Sequence, residues 1–225
     1  MQNLESCLKS LGVEDWREIT NSMIYIRCPQ KLDVLRKAGF EVVGRNDGVL
    51  ALCFVDHLKG LCFYVIAAAH IGEDRVFVSK ENKSSQLVFP VGELADCVYL
   101  NQDFIEADLS HYYSYVDEII KQFENDYEEA VDIRKILKLD DFRQPQFPDN
   151  IEVLLINKSG EQEKVWVRAT QFGMNCIYGI LLDEPERDFG VHKDDLIDFM
   201  LIEREGKMST VHFPEDLRKS RGETL

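Results

Sequence analysis

The chain has 225 residues, of which 45% are hydrophobic, and it carries a formal net charge of −15 with a pI near 4.8. The hydrophobic fraction excludes a disordered chain, because it is large enough to form a core. The negative charge repels phosphate backbones, so nucleic acid is not an expected partner, whereas a basic protein is. The simpler alternative is a soluble acidic protein whose surface charge has no specific partner.

In chain order, residues 2–11 come first and carry leucines and a cysteine at helical spacing, which predicts a helix ended by Gly12. Residues 22–28 predict a strand. Pro29 suits the first turn of a second helix that Gly39 ends. Residues 40–43 then predict another strand.

Two uninterrupted apolar runs, residues 49–55 and 61–69, are the most informative part of the N-terminal half. Strands without polar alternation are covered on both faces, so these runs predict a central hairpin. Neither run approaches the roughly 20 residues that a membrane helix needs, so no membrane association is expected. Residues 75–79 continue the sheet, and residues 86–89 predict an edge strand that Pro90 closes.

A long amphipathic helix is predicted from Leu109, with Asp108 as its N-cap and apolar residues on one face. Residues 125–141 either lengthen this helix or form another. We expect the helix from Leu109 to cover the same face of the sheet as the helix after Pro29. The other face is then left to the C-terminal strands, to the first helix, or to a second copy of the chain.

The C-terminal stretch, residues 151–213, alternates apolar and polar residues with the period of strands. Turns at 157–160 and 173–175, together with Pro185, divide it into five short antiparallel strands. These predict a small, strongly curved sheet or a partly closed barrel. The fold class is therefore α+β. The expected domains are 1–145, an α+β body with helices on one face of a mostly antiparallel sheet, and 150–213, a small β domain, followed by a tail at 214–225.

Three motifs in this stretch are the pair Trp166-Val167, the Gly-Ile-Leu-Leu-Asp-Glu-Pro segment ending at Pro185, and the His-Lys-Asp-Asp-Leu-Ile-Asp-Phe segment ending at Phe199. Their order resembles the small bacterial domain of the YegJ-like group, whose members are functionally uncharacterised. Lys193 departs from the group's pattern, which has Gly before the Asp. The match covers less than a third of the chain, and the resemblance implies no catalytic residues. The matching residues are Trp166, Gly179, Leu181, Pro185, Asp194 and Phe199.

The residue types that often carry chemistry are scattered. Several of the six cysteines lie inside apolar runs, where a thiol packs as a small hydrophobe and burial raises its pKa, and none forms a Cys-x-x-Cys pair. The five histidines are far apart and lack metal-ligand spacing. No phosphate-binding glycine loop is present. We therefore expect no catalytic residue, no metal and no organic cofactor.

The candidates for a pocket or an interface are aromatic and acidic. An aromatic stripe at helical spacing is more often core than pocket, and adjacent carboxylates are common in an acidic chain, so both have ordinary explanations. The candidate residues are His111, Tyr112, Tyr113, Trp166, Asp183 and Glu184.

The expected function is that of a non-catalytic, cytoplasmic interaction protein whose acidic surface binds a basic protein. A bacterial immunity-type role, masking a basic toxin, is its most concrete form. Cytoplasmic placement follows from reduced cysteines and from an N-terminus without a secretory pattern. The alternatives are an enzyme for a small molecule, with a pocket between the two domains, and a structural homodimer.

Overall fold

The computed structural model describes residues 4–11, 16–105, 110–124 and 127–214, without the side chains of 110–115 and 124. The chain forms two compact units, Met1–Asn125 and Asp126–Leu225. The division falls about twenty residues before the predicted one, because the segment after residue 126 packs on the C-terminal strands. Ile133 and Leu139 are buried in the core of the second unit.

The first unit is built on a curved, largely antiparallel sheet with the strand order β1-β7-β2-β3-β4-β5, and β6 pairs with β4. The longest strands, β3 and β4, are the two apolar runs, and they pair as the predicted central hairpin. The strands are β1 (Lys9–Ser10), β2 (Met23–Arg27), β3 (Gly48–Asp56), β4 (Gly60–Ile71), β5 (Val76–Val78), β6 (Val88–Pro90) and β7 (Val98–Leu100).

Both faces of this hairpin are covered, as the unbroken apolar runs required. Alternate residues of β3 enter two separate cores, with Val49 in one and Leu50 in the other. In β4 a bulge inserts Ile66, so that Leu50 pairs with Ala67 and Ala51 with Val65. A bulge adds one residue to one strand and increases the local twist, which suits a curved sheet.

The two helices predicted to share a face lie on opposite faces, so that prediction is wrong. The helix α2 (Leu32–Lys37) buries Leu35 in the first core, beside the short helix α1 (Trp16–Ile19). The long helix α3 (Ser110–Glu124) buries Val116 and Ile119 in the second core. Among the described residues of this unit, each face of the hairpin has its own covering, in contrast to the open face that suggested a homodimer.

The first predicted helix is largely a different structure. Leu4–Cys7 forms one turn of 3-10 helix, and the chain then becomes strand β1, which pairs with β7. Leu4 and Leu11 are both buried, but in different cores, so their spacing does not mark one helical face. Gly12 lies outside the described residues.

Residues 40–43 do not form the predicted strand. The backbone N–H of Val43 donates a hydrogen bond to the side-chain oxygen of Asn46 at 2.6 Å. The backbone N–H of Asn46 donates to the carbonyl oxygen of Val43 at 3.0 Å. These bonds close a turn, which occupies the groups that a strand would offer to a neighbour. Phe40 is buried all the same, at the end of α2.

The second unit is a closed barrel of five strands with a short sixth strand, β8, at its side. Consecutive strands are antiparallel, so the first and the fifth run in the same direction, and β13 closes the barrel by pairing parallel to β9. Inward residues Ile151, Val153 and Leu155 are fully buried, which confirms the predicted alternation. The strands are β8 (Arg143–Gln144), β9 (Phe147–Ile156), β10 (Gln162–Phe172), β11 (Ile177–Leu181), β12 (Leu196–Arg204) and β13 (Lys207–His212).

In the described part of this segment, residues 127–141, the chain forms a second helix rather than an extension of α3. The helix α4 (Glu128–Arg134) packs on β9 and β10, and a 3-10 helix over Leu137–Phe142 follows it. The Arg134 guanidinium donates twice to the Asp149 carboxylate, both at 2.8 Å, inside the unit. None of the described helices combines the length and the apolar character that a membrane span requires.

Candidate functional site

The β11–β12 loop, residues 182–195, is the most acidic exposed segment of the barrel. It carries six carboxylates against one Arg and one Lys, and all eight of these side chains are exposed. Several of its carboxylates bind backbone N–H groups nearby: Asp188 accepts from Gly190 at 2.9 Å and Asp195 from His192 at 2.7 Å. These bonds hold the loop in one conformation, and its negative charge is therefore presented at fixed positions.

Three of the predicted site residues meet where this loop begins. The backbone N–H of Trp166, in β10, donates to Asp183 at 2.8 Å. The neighbouring Glu184 accepts from the Lys193 N–H at 2.9 Å, which ties the two ends of the loop together. The Trp166 ring is half-buried on the outer side of the barrel, because its neighbours Val165 and Val167 point inward.

The other three predicted residues, His111, Tyr112 and Tyr113, belong to helix α3 of the first unit, and their side chains lie outside the described residues. The predicted pocket that would join Tyr113 and His111 to Trp166 therefore remains a prediction. Within the described residues, the cavity reported below is formed entirely by the second unit.

The loop also contains an ion pair that responds to pH. His192 Nδ1 lies 2.9 Å from Glu184 Oε1, and both side chains are exposed. The hydrogen bond to Glu184 raises the pKa of His192, and the bonds from His192 and from the Lys193 N–H lower the pKa of Glu184. The pair is thus doubly charged between the lowered carboxyl pKa and the raised imidazole pKa. The attraction between the two charges is lost as pH rises through the raised pKa of His192 or falls through the lowered pKa of Glu184.

We expect Glu184→Gln to lower the pKa of His192 toward the ordinary histidine value, because the amide cannot stabilise the imidazolium as a carboxylate does. An NMR titration of the His192 ring protons measures this shift. Asp183→Asn is the matched control. It removes the same charge at the adjacent position, but the carboxylate at position 183 accepts a hydrogen bond from the Trp166 N–H and does not bind His192. An unchanged His192 titration in Glu184→Gln contradicts the pairing.

A cavity of about 590 Å³ opens at the end of the barrel beside this loop. The β9–β10 turn forms one wall, the centre of the acidic loop a second, and the end of β13 the third. Both charged and apolar side chains face it. The lining residues are Asn157, Lys158, Ser159, Asp188, Phe189, Gly190, Val191, His212 and Pro214.

His212 is the buried titratable residue of this cavity. It is 8% exposed, and its Nδ1 lies 2.7 Å from the carbonyl oxygen of Asp198 and 3.4 Å from the Asp198 carboxylate. A carbonyl oxygen only accepts, so Nδ1 is the donor in this hydrogen bond. Asp198 is itself 9% exposed and fixes the orientation of the ring.

This His–Asp pair was not predicted from the sequence. The two residues lie fourteen positions apart on adjacent antiparallel strands. The pairing of Met200 with Val211 brings them together, and that register is set by the two-residue turn at Glu205 and Gly206, both with positive φ. The available signal was a charged residue, Asp198, within the otherwise apolar residues 196–202 of β12.

The cysteines behave as the apolar runs predicted. Cys28, Cys53, Cys62 and Cys97 are buried, and burial raises the pKa of each thiol, that of Cys62 to about 12. Such thiols stay protonated and unreactive at neutral pH. Among the described residues, no three His, Cys, Asp or Glu side chains are grouped to hold a metal ion.

The charge, the fixed loop and the cavity therefore make the end of the barrel the candidate site, and they describe a binding surface more fully than a catalytic centre. The resemblance of residues 151–213 to the YegJ-like domain stays a prediction. No family model, curated protein or solved structure matches this chain.

Proposed function

We propose that this chain is a non-catalytic interaction protein that binds a basic protein through the β11–β12 loop. The observation that carries the proposal is the concentration of six carboxylates on one exposed loop whose backbone is held by its own side chains. A surface of net negative charge attracts a basic partner, and the hydrogen bonds within the loop reduce the entropy that it loses on binding. An immunity-type role, in which the loop masks the basic site of a toxin, is the form we favour.

The charge of the whole chain supports the same class of partner. Of the net −15, the second unit carries −8, from 14 basic and 22 acidic residues. Charge on the rim of an interface acts mainly on the association rate and is screened over about 8 Å at physiological salt. Binding to the partner is therefore expected to be fast at low salt and slower as salt rises.

We expect the double substitution Glu186→Gln/Asp194→Asn to slow association with a basic partner about threefold at low salt. Both side chains are exposed loop carboxylates that form no hydrogen bond with the residues the structure describes, so their removal leaves the loop intact. Asp194 has a φ of 71°, which asparagine also tolerates. Surface plasmon resonance over a salt series measures the association rate.

The matched control is Glu203→Gln/Glu205→Asn, which removes the same charge at the opposite end of β12. Asparagine suits the φ of 53° at position 205. Equal slowing by the two double variants would show that only net charge matters. A partner that binds at a rate independent of salt, or that is itself acidic, would contradict the proposal.

A further inference from the structure

We propose that the outer face of β10, β11 and β12 is the apolar centre of the partner interface, and that it binds apolar side chains which lysine or arginine flanks in the partner. The inference rests on the proposed function for the basic character of the partner. It adds the surface on which side chains of the partner become buried, whereas the acidic loop accounts for their attraction.

Four apolar side chains lie next to one another on this face. They are Trp166 in β10, Ile180 in β11, Leu182 at the start of the acidic loop and Leu196 directly after it. Ile180 pairs with Leu196, and the N–H of Leu182 donates to the carbonyl oxygen of Trp166 at 2.8 Å. Side chains alternate between the two sides of a strand, so Ile180 and Leu182 project on the same side. Directly opposite side chains have their Cβ atoms about 5 Å apart, which places Leu196 against Ile180.

These side chains point away from the barrel core. The alternate positions Val167, Leu181 and Ile197 are the ones buried in that core. Leu196 is 57% exposed, and the other three members of the face are half-buried. An antiparallel sheet usually carries polar residues on the side that faces water, yet β11 has no charged residue. Adjoining apolar side chains on an exposed surface are typical of a protein interaction site.

The charges beside the face determine which partner it fits. The two leucines of the face are the sequence neighbours of Asp183 and Asp195, and both carboxylates are exposed. Arg168 pairs with Ile180 on the other side of β11. Arg168 and the acidic loop together contain six carboxylates against three cations, so the rim is negative. The complementary surface is therefore apolar with lysine or arginine around it. A second copy of the chain would bring the same negative rim and be repelled.

The test compares two heptapeptides that carry the same four lysines, Lys-Lys-Leu-Leu-Leu-Lys-Lys and Lys-Lys-Ser-Ser-Ser-Lys-Lys. We expect the leucine peptide to bind about tenfold more tightly, because the burial of about one leucine side chain supplies this ratio. Calorimetry at low salt gives the affinities. In a Trp16→Phe background, the emission of Trp166 reports the location, since a leucine that covers the indole ring shifts it to shorter wavelength.

Leu196→Ser should reduce the preference for the leucine peptide to about threefold or less, because it removes the most exposed apolar side chain of the face. Leu58→Ser is the matched control. Leu58 is 54% exposed, but it lies in the β3–β4 turn of the first unit, so this variant should keep the full preference. Both leucines are exposed, so neither substitution opens a cavity in a core.

Equal affinity of the unaltered protein for the two peptides, with Trp166 emission unchanged, overturns the apolar centre and leaves the acidic loop as the binding surface. Equal losses of preference in Leu196→Ser and Leu58→Ser overturn it as well. Binding of the leucine peptide that is independent of salt supports an apolar surface but overturns the proposed function, and with it the basic flanks. Dimerisation of the unaltered protein that Leu196→Ser abolishes, measured by light scattering, assigns the face to a second copy and overturns the proposal.

Discussion

Replacing Asp149 by Ala should lower the free energy of unfolding of the barrel by roughly 3–5 kcal/mol. The Asp149 carboxylate accepts two hydrogen bonds from Arg134, and the side chains are only 4% and 7% exposed. The substitution leaves a guanidinium buried beside a cavity, out of reach of bulk water. The cost is mainly that of a buried guanidinium that has lost its bidentate carboxylate, since the intact pair itself adds little over a hydrophobic pair of the same size.

The two tryptophans allow the unfolding of each unit to be followed separately, because Trp16 lies in the first unit and Trp166 in the second. In a Trp16→Phe background, urea unfolding followed by fluorescence reports the barrel alone. Removing both charges together, as Arg134→Met/Asp149→Leu, should restore most of the lost stability.

The exposed pair Lys164–Glu152 provides the control. It has an N–O distance of 2.7 Å in the same barrel, but its side chains are 68% and 34% exposed. Glu152→Ala should cost no more than about 1 kcal/mol, because water solvates the freed lysine. Similar losses for Asp149→Ala and Glu152→Ala would show that burial does not determine the cost.

The parts of the fold that could be predicted are those in which a local pattern has a single solution. The unbroken apolar runs of β3 and β4 had to be covered on both faces, and the alternation in β9 had to place Ile151, Val153 and Leu155 inside a core. The class and curvature of the β unit followed from five short strands and their turns. None of these arguments requires knowing which distant segment is the neighbour.

Apart from residues 40–43, where a local turn replaces the predicted strand, the errors concern partners distant in sequence. Leu4 and Leu11 have helical spacing, yet the pairing of Lys9 with Tyr99 makes this segment a strand. The segment after residue 126 also carries apolar residues among charged ones, and only packing decides which core it joins. The face that α2 covers likewise depends on how the chain crosses the sheet.

The residues of the candidate site likewise include some that could be predicted from the sequence and some that could not. Asp183 and Glu184 were identifiable because adjacent exposed carboxylates after a strand mark an acidic loop in any register. His212 and Asp198 were not, since their contact depends on the register of β12 with β13. A slip of one residue would turn one of them to the other face of the sheet.

The second large effect is expected at Gly48, the first residue of β3. A Cβ at this position would lie 2.1 Å from the carbonyl oxygen of Ile26 and 2.9 Å from the Tyr25 ring. Gly48 pairs with Arg27 on one side and with Ala69 on the other, so the backbone is fixed between two strands. The oxygen belongs to the adjacent strand and cannot rotate away as a side chain would. Gly48→Ala must therefore separate β2 from β3 locally, and we expect a loss of about 3 kcal/mol.

Gly44 is the matched control, since it lies four residues earlier, in an exposed turn where an added Cβ meets nothing within 4 Å. Gly44→Ala should change the stability by no more than about 0.5 kcal/mol. Both variants are compared by urea unfolding in a Trp166→Phe background, where the buried Trp16 reports the first unit. The close approach of β2 to β3 at Gly48 is refuted if the two alanine variants unfold at the same urea concentration. If Gly48→Ala alone is destabilised, the absence of a side chain at this crossing is what allows β3 to pair on both sides.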